Sequence, residues 1–316
     1  LVDGLGTDDL VLALVSGGAS ALLPAPAGSL TFADEQATNR ALLASGAPIQ
    51  VMNGLRKHIS AIKGGQLARR TAPARLVACI LSDVIGDDLS VIASGPTVAD
   101  PSTYAGVLAD VEHYAIALPP GVQAHLEAGA AGRIAETPKP GDPCFARVEN
   151  RLVGSNAASL RAIADHARAA GYAVDLQSEP ITGDVAACAK AFCARLRAAR
   201  PRTLILAGGE PTVTLGANPG RGGRAQAFAL ATARLIAGTT GLRILAAGTD
   251  GTDGPTDAAG GFADSSSAAR AAKAGIDLAD HERRQDAYPA LQGLGDLLIT
   301  GPTRTNVMDV YLGLAE

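Results

Sequence analysis

The sequence predicts an α/β protein of two domains, with mostly parallel sheets flanked by helices. Apolar runs of strand length alternate with helical stretches along the whole chain. Strand after strand ends in a turn of Gly, Ser, Thr and Asp, the composition of a binding edge in open α/β sheets. At 316 residues the chain also exceeds the length at which a single core ordinarily keeps growing.

Composition excludes several classes of function. Hydrophobic residues make up 47% and charged residues 18%, ample for a core in a globular chain. Aromatics are 3% and Trp is absent, which argues against stacking platforms for single-stranded nucleic acid or carbohydrate. A net charge of -4 provides no basic footprint, so nucleic acid is not an expected partner. No apolar run reaches bilayer-spanning length and no signal-peptide pattern opens the chain, so no membrane partner and a cytoplasmic location are expected. Cys79, Cys144, Cys188 and Cys193 read as buried free thiols, since the separation of the last pair fits no zinc pattern. The chain starts without Met and enters an apolar strand almost at once, as though cut from something longer.

Leu10 to Val15 is a continuous apolar run, the mark of a parallel strand buried on both faces. It leads into Ser16, Gly17, Gly18, Ala19 and Ser20, small residues whose amides suit a ligand at a sheet edge and equally suit a plain tight turn. Residues 30–45 are helical in pattern, and a second helix is expected from Asn53 through Leu67. Its Arg56, Lys57 and Lys63 face either an anion or solvent. Gly64 and Gly65 within that run each cost about 1 kcal/mol relative to Ala, a sign of close packing or ligand approach. Arg75 to Leu81 is the next buried strand, and Asp83 stands just past its carboxyl end, a catalytic position in this architecture. Gly95 and Thr97 belong to a further small-residue turn. Helical pieces follow, and the Pro/Gly cluster near Asp142 sets a boundary between domains 1–142 and 143–316.

In the second half, Arg151 to Gly154 is a strand closing in Ser155-Asn156, and helix, strand, helix and strand then alternate to Ala207. This order predicts a mostly parallel sheet with right-handed crossovers. Gly208-Gly209-Glu210 closes the last of these strands. Gly220 to Gln226 opens a helix, where exposed amides and the dipole favour an anion and Arg224 offers a planar fork for phosphate or carboxylate. It is not a Walker A motif, because no Gly-Lys-Ser/Thr ends it.

The apolar run Leu242 to Ala247 enters the most unusual stretch of the chain, in which Asp250, Asp253 and Asp257 lie among five glycines and a proline by Gly261. Aspartates offer only acceptors, so they reach phosphate through a divalent cation or water, or bind a hydroxyl; they also staple loops as Asx-turns. A helix near 265–274, a polar hinge and a strand at 296–299 complete the pattern. Beyond the turn at Thr300 to Thr305 a helix is expected, with Asn306 and Asp309 on one face by their three-residue spacing.

Six motifs in order, Ser16 to Leu23, Arg56 to Gly65, Ser82 to Thr97, Gly222 to Gln226, the Asp-rich loop and Thr300 to Asn306, resemble the class II glycerate kinases (glycerate 2-kinases), whose C-terminal part is the MOFRL region. The resemblance implies an active site in an interdomain cleft, ATP and Mg2+ as cofactors, and phosphorylation of D-glycerate at its 2-hydroxyl. It also assigns roles. Asp83 and Arg224 match active-site groups proposed in the family, and Lys57 is a weaker candidate for the substrate carboxylate. Ser16, Gly17, Gly18, Ser20, Gly95, Thr97, Asn156, Gly209, Glu210, Gly223, Gly248, Thr249, Asp250, Asp253, Thr303 and Asn306 are expected around the nucleotide, with Asp250 and Asp253 toward the metal. A homodimer is compatible with the reading, and nucleotide preference stays open.

The chain departs from the family pattern at Ala19 and Arg304, where glycines are usual. It also lacks an N-terminal stretch with a Gly-Lys segment, so these 316 residues alone are expected to have little or no kinase activity. Two rival readings are a hydroxypyruvate reductase and a non-catalytic nucleotide- or metabolite-binding relative. The first needs a nicotinamide site, and no Gly-x-Gly-x-x-Gly follows any strand.

Overall fold

In the computed structural model, which describes residues 2–316, the chain divides into two units that meet at Val153 and Gly154. The first unit runs β1 (Leu10–Val15), α1 (Ala19–Leu22), α2 (Phe32–Ser45), α3 (Ile49–His58), α4 (Gln66–Thr71), β2 (Arg75–Leu81), α5 (Tyr104–His113), α6 (Pro120–Ala130) and β3 (Val148–Gly154). Its sheet has the order β1-β2-β3, and β1 and β2 are parallel as expected. The unit's largest core is helical: Leu42, Leu55, Ile59, Tyr104, Val107, Val122 and Leu126 pack together, all nearly inaccessible.

Three expectations are corrected in this unit. β1 is not buried on both faces: it stands at the edge of a short sheet and exposes Leu10 by 63%, Leu12 by 60% and Leu14 by 77%. The predicted Asn53–Leu67 helix breaks between α3 and α4, where Gly64 and Gly65 have φ of +57° and +80°. Their amides donate to the Ser94 and Gly95 carbonyls at 2.9 and 2.7 Å, and a Cβ on Gly65 would stand 2.8 Å from the Val98 carbonyl, so these glycines serve close backbone packing. The unit boundary also lies beyond Asp142, because β3 joins the first sheet: the Leu76 amide donates to the Arg147 carbonyl and Arg75 pairs with Glu149.

The second unit runs α7 (Asn156–Ala169), β4 (Ala173–Leu176), β5 (Ile181–Asp184), α8 (Val185–Arg197), β6 (Thr203–Thr212), α9 (Arg224–Leu235), β7 (Leu242–Gly248), β8 (Gly260–Asp264), α10 (Ser267–Lys273), α11 (Leu278–Arg283), α12 (Ala287–Leu294), β9 (Leu297–Leu298) and β10 (Asp309–Ala315). The sheet order is β4-β6-β10-β7-β8-β9, with β5 also pairing β6. β4 and β5 run parallel to β6, as predicted, but β10, β8 and β9 pair antiparallel to their neighbours, so this sheet is mixed. The helix expected to carry Asp309 is this central strand. Asp309–Ala315 places an apolar or small residue at nearly every position, a pattern for a strand buried on both faces, and a Cβ on Gly313 would meet Phe192 at 2.7 Å. Phe192, Phe228 and Tyr311 meet edge-to-face and tilted across the layer between α8, α9 and β10 and anchor its core.

The cysteines are free, as expected, but only Cys193 is fully buried; the others are partly accessible. Among the described residues no helix is long and apolar enough to cross a membrane.

Candidate active site

Because β10 is antiparallel to β6 and β7, its first residue lies at their carboxyl ends. Asp309 is in register with Gly209 on one side and Gly248 on the other. The register draws the Gly209-Glu210 segment, the Asp-rich loop after β7 and the 300–308 loop before β10 to one sheet edge. The N-terminus of α9 joins them, and a pocket of about 570 Å3 opens there. Gly223, Arg224, Gly248, Thr249, Asp250, Asp253 and Asn306 line it together with apolar residues including Pro211, Val213, Leu215 and Ala287.

Arg224, in the first turn of α9, is the charged centre. Its Nε donates to Asp309 Oδ2 at 2.6 Å, and its Nη2 donates to Asp309 Oδ1 at 3.2 Å and to Glu210 Oε1 at 2.7 Å. Burial works against the guanidinium charge, but the hydrogen bond and charge of Asp309, then the charge of Glu210, outweigh it and raise the pKa. Asp309 is 3% exposed and accepts a further bond from the Tyr311 hydroxyl at 2.9 Å. Burial nonetheless holds its carboxyl above the usual range, with Arg224 opposing the shift.

The aspartates of the loop divide their work. Asp253 is 5% exposed and caps α9: Oδ1 accepts from the Ala225 amide at 3.1 Å and Oδ2 from the Gln226 amide at 2.8 Å. Burial pushes its pKa up to about 6 despite those amides. A Cβ on Gly223 would lie 2.3 Å from this carboxylate, which explains the glycine before the helix. Asp257 accepts from the Tyr288 hydroxyl. Asp250 lines the pocket with its Oδ1 accepting from the Thr252 amide at 2.9 Å, an Asx-turn that leaves acceptor capacity for a ligand. The metal role expected of Asp253 therefore meets a carboxylate whose two oxygens each already accept an amide of a helix terminus. Among the described residues no group of His, Cys, Asp and Glu could by itself hold a metal ion. A Mg2+ held mainly by phosphates and water needs only about one or two carboxylates, of which Asp250 could supply one.

Other expected cofactor contacts are ties between loops. Thr303 donates its hydroxyl to the Thr249 carbonyl and its amide to the Asp250 carbonyl, and the Asn306 side chain accepts from the Met308 amide. Asn156 is buried and donates to the Val307 and Asp309 carbonyls at 2.8 and 2.9 Å, outside the pocket lining. Gly209, at φ +145°, permits close passage of β5, since a Cβ would stand 2.2 Å from the Ile181 carbonyl.

In the first unit, Ser16, Gly17, Gly18 and Ser20 do follow β1, and the Ser20 hydroxyl bonds that of Ser94 at 3.0 Å. Gly95 closes a run of left-handed residues, Ala93, Ser94 and Gly95, and the Thr97 hydroxyl donates to Asn150 at 2.5 Å. Asp83 is half-buried just past β2. Lys57 departs from its expected role: it is 7% exposed and pairs with buried Asp100 at 3.4 Å, a structural contact under Gly64. Asp309 and Tyr311 were missed as site residues. The nearly continuous apolar and small residues of Asp309–Ala315 signal a buried strand, and a strand start would have placed Asp309 at the binding edge.

Glycines ahead of a helix, an anchored arginine and a loop aspartate with spare acceptor capacity surround one pocket at the sheet edge of this α/β protein. Residues 203–309 match the MOFRL family, and residues 1–127 match a domain of unknown function, DUF4147. The chain is 46% identical to an Agrobacterium vitis protein that bears the name hydroxypyruvate reductase, over 98% of this chain and 70% of that one. It is 39% identical to a glycerate 2-kinase of Pyrococcus horikoshii, over 97% of this chain and 71% of that one. The crystal structure of a glycerate kinase from Thermotoga maritima superposes with a TM-score of 0.91 at 37% identity, covering 100% of this chain and 75% of that one. The chain belongs to the glycerate kinase family that carries the MOFRL region.

Proposed function

We propose that this protein is a glycerate 2-kinase that transfers the γ-phosphoryl of ATP to the 2-hydroxyl of D-glycerate, and that the second-unit pocket takes the nucleotide. The observation that carries the reading is Arg224, held at the first residue of α9 where its remaining donors meet the cavity that Gly222 and Gly223 also line. The pocket's volume, about 570 Å3, suits a ligand of nucleotide size. Its apolar wall of Pro211, Val213 and Leu215 suits a base, and the Gly222-Gly223 segment suits phosphates.

Phosphoryl transfer rests on positioning and charge stabilisation. With its Nε and Nη2 engaged, Arg224 keeps the Nη1 donors for a phosphoryl oxygen. Mg2+, when bound with the nucleotide, neutralises phosphate charge, and Asp250 would hold it. Asp83 would accept or orient the proton of the glycerate hydroxyl. The hydroxypyruvate reductase name borne by two relatives finds no Gly-x-Gly-x-x-Gly after a strand in this chain. The test follows phosphorus-31 resonances of the natural protein with Mg-ATP and D-glycerate: appearance of 2-phosphoglycerate with ADP supports the reading, and ATP left unconsumed sinks it.

A further inference from the structure

We propose that Asp309 is a positioning residue that fixes the orientation of Arg224 for catalysis, itself locked by Tyr311; the inference rests on the pocket being the phosphoryl-transfer site. The two carboxylates on the guanidinium are not equivalent. Asp309 grips it at both Nε and Nη2, whereas Glu210 accepts from Nη2. A two-point planar fork fixes the plane of an arginine; a single bond lets it pivot. The carboxylates also differ in setting, with side-chain exposures of 4% for Asp309 and 36% for Glu210. A buried carboxylate exchanges poorly with water, so the fork persists.

Asp309 is braced in turn. Tyr311, 0% exposed, donates to Oδ2 from the same face of β10. β10 is paired on both sides along its whole length, from Asp309 to Ala315, so the carboxylate stands on a rigid strand rather than a loop. The cross-strand partners of Asp309 are glycines, which leaves the guanidinium room to lie beside it. The chain Tyr311, Asp309, Arg224 therefore connects the core of the unit to the pocket. Its output is the aim of the Nη1 donors, on which phosphoryl transfer depends steeply: a misplacement of ~1 Å can cost ~10²-fold in rate.

The test is a double-mutant cycle on the natural protein, reading single-turnover kcat and the Kd of Mg-ATP. Wild-type turnover comes first; its absence would overturn the reading of the pocket before any variant is made, and Asp309's role with it. Asp309→Asn keeps shape and removes the charge. It is expected to lower kcat by roughly 10–100-fold while Kd moves less than about fivefold, and to add less than about threefold in the Arg224→Ala background, because its effect runs through Arg224. Full multiplication of the Asp309→Asn loss onto Arg224→Ala, or a kcat within about twofold of wild type, would overturn the proposal. Tyr311→Phe deletes one hydroxyl and serves if Asp309→Asn does not fold: the same direction at roughly 3–10-fold, again absent without Arg224, supports it, and an unchanged or additive effect counts against it.

Discussion

Replacing Asp253 by Ala separates a helix cap from a metal ligand. The substitution orphans the Ala225 and Gln226 amides, which lie 3.1 and 2.8 Å from the carboxylate oxygens at a site only 5% exposed. Each buried amide left unpaired costs about 1–3 kcal/mol. Burial of the carboxylate itself, which raises its pKa to about 6, offsets part of this once the group is ionised, so a net loss of about 1–3 kcal/mol is expected near neutral pH. For a domain of this size that lowers Tm by roughly 3–10 °C. The loss also depends on pH with a definite sign. A carboxyl raised from 3.8 to about 6 contributes stability that is complete below the lower value and lost as pH rises through the higher one. The variant lacks this term, so its deficit relative to wild type is expected to shrink between pH 5 and pH 8 by ~1–2 kcal/mol. Urea unfolding at both pH values measures the deficit, and a Mg2+ titration of turnover at fixed ATP measures metal dependence. Wild-type stability together with a tenfold or greater rise in the Mg2+ concentration needed for half-maximal turnover would refute the cap and restore Asp253 as a ligand.

Arg224→Lys retains the charge but not the fork, and kcat is expected to fall by roughly 10²–10³-fold with Tm little changed; steady-state kinetics beside a thermal melt checks both. Gly248→Ala sets a Cβ 2.6 Å from the Thr252 carbonyl and 3.3 Å from Asp250 Oδ1, so the Asp-rich loop must move; calorimetry is expected to show at least tenfold weaker Mg-ATP binding, and unaltered binding would remove Asp250 and its loop from the nucleotide site. Asn156→Ala removes the donor to the Val307 and Asp309 carbonyls, and at 7% exposure a loss of about 1–3 kcal/mol is expected in chemical denaturation.

Much of this organisation was legible in local pattern. The apolar runs at Leu10–Val15, Arg75–Leu81 and Leu242–Gly248 are strands, and the Gly-rich turn before Arg224 does open a helix. Legibility ended where long-range pairing decides. Asp309–Ala315 is marked by a nearly continuous run of apolar and small residues, but its insertion between β6 and β7 depends on partners 61 or more positions away in sequence, as in the pair Asp309 and Gly248. The roles of the three loop aspartates were equally hidden, since Asp250, Asp253 and Asp257 share one composition and differ only in what the fold places opposite them: a turn amide, the start of α9 and a tyrosine hydroxyl. Lys57 and Lys63 show the same limit. A basic helix read as solvated or anion-facing, yet both lysines are buried against acids, Asp100 and Glu35.

The most direct measurement is the fate of the γ-phosphoryl when the natural protein meets Mg-ATP and D-glycerate, followed by phosphorus-31 NMR, with NADH oxidation by hydroxypyruvate recorded alongside. The predicted result is stoichiometric ADP and 2-phosphoglycerate, lost in Arg224→Ala, with no NADH consumed. NADH-dependent reduction of hydroxypyruvate without phosphoryl transfer would contradict it.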